Sequence, residues 1–207
     1  MENQQELDPE FVKQLRRAAK TGRDAEKIEV LKKATELLSD RNSEVSHNLP
    51  FVNLCVSFLM FGGDTEPITS ERIEVAIVHT KFLTALIRCA PKKAVQQHAV
   101  ISGFISDIFG ILYLARSSKT FLNDPICDEL EHRLKALCKE ALEDEGLKDD
   151  IPMIISNNLK AERRPSIAML VCVSGCTREQ IALLTTNLPT KEKQFFSQLL
   201  QRVESQK

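Results

Sequence analysis

Residues 99–118 read AVISGFISDIFGILYLARSS. Gly103 stands between an apolar stretch and a longer one in which apolar residues recur at helical spacing. The reading is a helix end, a turn at Ser102-Gly103, and an amphipathic helix from Phe104 to Ala115. A similar order, an opening signal and then an apolar helix, recurs at Asp8-Pro9, Leu49-Pro50 and Ile151-Pro152. Taken as equivalent openings, Pro9, Pro50, Ser106 and Pro152 lie 41, 56 and 46 residues apart. The longest interval contains Gly62 to Ser70, which reads as an inserted loop. The remaining period suits stacked helical units of about 40–47 residues.

The chain has 207 residues, 43% hydrophobic and 28% charged, which describes a folded chain rather than a disordered one. Its formal net charge of -1 disfavours nucleic acid as the dominant ligand, since that binding needs many phosphate contacts. Val and Ile do not alternate with polar residues as they do in half-buried strands, so the fold class expected is all-α. The first ten residues, MENQQELDPE, are polar and acidic and do not read as a signal peptide. No apolar stretch reaches the roughly 18 residues of a membrane span. Ala99 to Ala115 comes nearest but contains Ser102, Gly103, Ser106 and Asp107. A cytoplasmic or nuclear chain without membrane contact is expected, with its six cysteines as free thiols.

Outward from the quoted stretch, helix punctuation is plain. Asp8 is an N-cap and Pro9 a first helical residue, ahead of an apolar stripe of Phe11, Val12, Leu15, Ala18 and Ala19, and Gly22 ends that helix. A second helix runs from about Asp24 to Leu38 with Ile28, Leu31, Ala34 and Leu38 on one face. Glu71 to Cys89 is apolar around most of its circumference and reads as a central helix. Its best polar stripe is Glu74, Lys81 and Arg88. Lys92 to Val100 is helical, and Asp124-Pro125 caps a helix to about Asp144 that carries Ile126, Leu130, Leu134, Leu137, Ala141 and Leu142. Pro152 and Pro165 open further helices. Thr177 to Gln180 has the capping-box pattern, and Thr190 caps a last helix bearing Phe195 and Phe196.

With those helices placed, the chain resembles the armadillo and HEAT superfamily of helical repeats. Lys92 to His98, Ser102-Gly103, Phe104 to Leu114 and Asp124 to Leu142 look like the first helix, glycine turn, second helix and third helix of one unit. The resemblance implies a right-handed armadillo-like α-solenoid of helical hairpins or triplets, with about four units and a C-terminal cap. A flexible segment 1–7 would precede one domain, 8–207, with units at about 8–47, 48–91, 92–146 and 147–176 and a cap at 177–207. The peptide-groove members of the family carry a ladder of Trp and Asn on their third helices. This chain has no Trp, and no Asn lies in Glu71 to Cys89 or Cys127 to Leu142.

Candidate sites follow from charge rather than from catalytic motifs. The resemblance puts third helices on a concave face, which makes Glu74, Lys81 and Arg88 the partner-facing residues. Lys13, Arg16, Arg17, Lys20 and Arg23 form a basic run on the first helix and its end, and Lys160, Arg163 and Arg164 form a second cluster. Cys172 and Cys176 lack the usual zinc spacing. His47, His79, His98 and His132 are scattered without a nucleophile or acid at a catalytic spacing, and Gly62-Gly63-Asp64 lacks the residues of a phosphate loop. No catalytic residue, metal or cofactor is expected. The function expected is a non-catalytic protein-binding scaffold or adaptor within a larger assembly. The second reading is an RNA-associated helical scaffold resembling the middle domains of translation initiation factors.

Overall fold

The computed structural model describes residues 8–39, 67–89 and 98–143, together with Thr190, 193–194, 197–198 and Gln201. The expected openings at Pro50 and Pro152, the cluster at Lys160, Arg163 and Arg164, and Phe195 and Phe196 lie outside the described residues. Among the described residues the chain is all-α: α1 (Pro9–Thr21), α2 (Asp24–Ser39), α3 (Ser70–Cys89), α4 (His98–Ser117) and α5 (Pro125–Glu143), with no strand.

The first two helices form a hairpin. The Asp8 carboxylate accepts a hydrogen bond from the Glu10 N–H at 3.0 Å, and Pro9 occupies the first turn, where its missing N–H costs nothing. The other end closes at Gly22, whose φ of 65° is left-handed and whose N–H donates to the Ala18 carbonyl at 3.0 Å. The chain reverses there. Lys33, late in α2, lies 3.7 Å from Asp8 and sits over the Phe11 ring at 4.7 Å, while Glu26, early in α2, reaches back to Arg17 at 3.5 Å. Start meets end, so the pair is antiparallel. Phe11, Leu15 and Ala18 of α1 and Ile28, Val30, Leu31, Ala34 and Leu38 of α2 are buried. Asp8→Ala should cost about 1 kcal/mol, the usual size of an N-cap loss, read as a shift of the urea midpoint with an unchanged slope.

A second hairpin joins α4 to α5. Residues 118–124 turn through hydrogen bonds from the Leu122 N–H to the Ser118 carbonyl at 2.9 Å and from the Asp124 N–H to the Phe121 carbonyl at 3.0 Å. Phe121 is buried and anchors the turn. Arg116 at the end of α4 donates to the Leu122 carbonyl at 3.0 Å and pairs with Asp128 and, at 3.2 Å, with Glu131 in the first turns of α5. Asp124 caps α5 by accepting from the Ile126 N–H at 3.0 Å.

The turn expected at Gly103 is not there: α4 runs unbroken from His98 to Ser117, through Ser102, Gly103 and Ser106. Ser106 is therefore a helix-interior residue and not the opening of a unit, and the repeat alignment loses its third anchor. The physical reason is one of magnitudes. Glycine inside a helix costs only about 1 kcal/mol relative to alanine. The continued helix buries Ile105, Ile108, Phe109, Ile111, Leu112 and Ala115, each worth about 0.8 kcal/mol per buried methylene.

Between the two hairpins lies α3. Thr69 caps it, its hydroxyl accepting from the Arg72 N–H at 3.2 Å. Twelve of its residues are buried, from Arg72 to Ile87, on nearly every side of the helix. It packs along both α2 and α5 and also touches α4, whereas α2 and α5 form no packed interface with each other. Its all-round apolar character is what a helix flanked on several sides requires.

Candidate functional site

The outward stripe of α3 consists of Glu74, Lys81 and Arg88, spaced by seven residues and so by about two turns. All three side chains are half-exposed, and the structure places each in an ion pair with a neighbouring helix. Glu74 accepts from Lys32 of α2 at 3.0 Å. Lys81 reaches Glu129 of α5 at 3.1 Å, and Glu129 also lies 3.6 Å from Arg133. The Arg88 guanidinium binds Glu140 of α5, with Nε at 2.7 Å from Oε1. The stripe thus runs along an ion-paired seam crossing α2, α3 and α5. The Lys81 ammonium, hydrogen-bonded to Glu129, holds that carboxyl below its usual range, and Arg133 adds to the effect.

The order of these pairs fixes a direction. Lys81 meets Glu129 and, two turns on, Arg88 meets Glu140, so residue numbers rise together and α3 and α5 are parallel. The sequence singled out Glu74, Lys81 and Arg88 by their spacing on one helix. It did not single out Lys32, Glu129, Arg133 or Glu140. Only the Glu129–Arg133 pair, at i and i+4, carries a local signal; the others depend on which helices become neighbours.

The seam is exposed and its charges are mutually satisfied, so its energetic weight is small. A double-mutant cycle on Lys81→Ala and Glu129→Ala should give a coupling below about 1 kcal/mol that shrinks further in 1 M salt, measured by urea unfolding.

The basic run on α1 is arranged differently. Lys13 lies 3.7 Å from Glu10, and Arg17 reaches Glu26 at 3.5 Å. Arg16, Lys20 and Arg23 are exposed and make no ion pair with any described residue.

Other candidate groups separate by burial. His79 is wholly buried in α3, and burial pushes its imidazole well below the usual value, so the neutral form is the folded one. His132 is exposed on α5. Cys127 and Cys138 are buried free thiols on α5, and Cys89 is an exposed free thiol at the end of α3. Burial pushes the Cys127 thiol upward, away from the reactive thiolate. Among the described residues no three His, Cys, Asp or Glu side chains come together to hold a metal ion, and no helix is long and apolar enough to cross a membrane.

Comparison with known proteins found no matching family model, no matching curated protein and no matching solved structure.

Proposed function

We propose that this chain is a non-catalytic protein-binding scaffold or adaptor, its helices stacked as a right-handed armadillo-like solenoid, working inside a multiprotein assembly in the cytoplasm or nucleus. The observation that carries this reading is the row α2, α3, α5. These helices lie side by side in chain order, and α3 and α5 are parallel. In an up-and-down bundle, helices joined by short loops are antiparallel neighbours. Parallel neighbours need a crossover, and α4 supplies one between α3 and α5. A row assembled this way extends by adding units at its ends, and such stacks offer a long surface for partners instead of a single enclosed pocket. Glu74, Lys81 and Arg88 lie along the exposed side of that row, where a partner would meet a surface of alternating charge.

Affinity purification of the tagged full chain from its own cells tests the reading. The expected result is a stoichiometric protein partner retained after nuclease treatment. Recovery of the chain alone, or of material lost entirely to nuclease, would sink it.

A further inference from the structure

The basic stripe of α1 stands apart from the rest of the described surface. At about 100° per residue, Lys13, Arg16 and Lys20 lie together on the side opposite Phe11, Leu15 and Ala18. The three apolar residues are buried, and the three cations are exposed. Arg23, in the turn that follows Gly22, is exposed as well. Elsewhere most cations of the helix surfaces are paired, Lys32 with Glu74, Lys81 and Arg133 with Glu129, Arg88 with Glu140, and Lys135 with Glu131. Exposed Lys119 and Lys139, which make no ion pair with any described residue, are single charges on separate elements rather than a stripe. Arg16, Lys20 and Arg23 make no ion pair with any described residue, and Lys13 has only an exposed contact to Glu10 at 3.7 Å.

We infer that the outer face of α1, formed by Lys13, Arg16 and Lys20, together with Arg23 in the turn that follows it, docks an acidic segment of a partner protein. The inference rests on the protein-binding reading above and names the chemistry of one partner. The helix is fixed to α2 through Phe11, Leu15 and Ala18, so the cations are held on a rigid support. Lys13 and Lys20 are about 10 Å apart along the axis at 1.5 Å per residue. That spacing suits several carboxylates of one segment. The two arginines add planar forks that bind carboxylates in two-point fashion.

The alternative anion, RNA, fits this face less well. The aromatic residue of α1, Phe11, is wholly buried, so no ring on this helix is available to stack on a base. Four cations neutralise few phosphates, and a chain without net positive charge gains little from long-range attraction.

The test compares two probes of equal length on the purified full chain at low ionic strength: fluorescently labelled octaglutamate and octauridylate. Octaglutamate should bind, and raising salt should weaken it. R16E/K20E/R23E should weaken octaglutamate binding at least tenfold. K119E/K139E, which changes two exposed lysines elsewhere, should change it less than twofold. Because reversed charges at the end of α1 oppose the helix dipole, R16Q/K20Q/R23Q serves as the variant that keeps the helix, checked by circular dichroism, and should weaken binding at least fivefold. The proposal is overturned if the wild-type chain does not bind octaglutamate, if the glutamine variant binds as wild type does, or if octauridylate binds more tightly than octaglutamate. Any of these would remove α1 as an acidic docking face while leaving a partner recovered by affinity purification unexplained but real.

Discussion

Phe82→Ala should lower the unfolding free energy by about 3–5 kcal/mol, the usual cost of removing a buried phenylalanine side chain. Phe82 is wholly buried on α3, among the largest side chains of the core. The loss has two parts. The ring no longer leaves water on folding, and the surrounding side chains relax only partly into the space it vacates. Position adds to this. The α3 helix packs along both α2 and α5, so a defect in it loosens the element that holds the two hairpins together. Domains of this size are commonly stable by 5–15 kcal/mol, and the variant should sit close to the edge of folding at 37 °C. Urea unfolding followed by circular dichroism gives the value. Leu122→Ala is the matched control: Leu122 is 50% exposed and should shift the midpoint by less than about 0.5 kcal/mol. Similar losses for the two substitutions would contradict the central place given to α3.

Acid should destabilise the fold well before its carboxylates are protonated, and His79 should be the cause. Its imidazole is wholly buried and its affinity for a proton is lowered by that burial. In the unfolded chain a histidine has a pKa of about 6.5. Above that value both states carry neutral His79 and the contribution to stability is constant. Below it the unfolded chain takes up a proton that the folded chain refuses, so stability falls as pH falls. The slope approaches about 1.4 kcal/mol per pH unit until the lowered folded-state value is reached. Measuring the urea midpoint at pH 7.5, 6.5, 5.5 and 4.8 should reveal this decline. In His79→Leu the decline across that window should flatten, whatever the change in absolute stability. The low-pH end is kept above 4.5 to separate His79 from Glu129, whose carboxyl is held below its usual range and whose stabilisation is lost only in stronger acid. An unchanged slope in His79→Leu would place the acid sensitivity elsewhere.

The legible part of this fold is the part written in local chemistry. Asp8, Pro9 and Gly22 bracket α1 because each answers a backbone need that exists wherever a helix starts or stops. The stripe of Ile28, Leu31, Ala34 and Leu38 is buried because helical spacing puts those residues on one face, and any neighbour will cover that face. The same holds for Leu130, Leu134, Leu137 and Ala141 of α5, and the all-round apolar α3 is indeed flanked by three helices. Gly103 is the instructive failure. Glycine ends a helix only when nothing stronger favours continuing it, and here six side chains beyond it gain burial by continuing. The partners of Glu74, Lys81 and Arg88 were illegible for another reason. A seven-residue spacing predicts that residues share a face, but not which helix will lie across from it. That Arg16, Lys20 and Arg23 make no ion pair with any described residue was equally out of reach, since it depends on where the carboxylates of other helices settle.

The parallel course of α3 and α5 also sets the order in which the chain can assemble. No tight turn can join parallel helices, so their contacts wait for distant segments to meet. Arg88 and Glu140 are 52 residues apart in sequence, and Lys32 and Glu74 are 42 apart, whereas Arg116 finds Asp128 only 12 residues away. Short loops close at lower entropic cost than long ones. Loop entropy therefore predicts that, among the described helices, the α1/α2 and α4/α5 hairpins form early and α3 joins them later. Substitutions confined to the seam should then leave the refolding rate nearly unchanged and appear chiefly as faster unfolding. On that expectation, the helix that packs against both hairpins is committed after them.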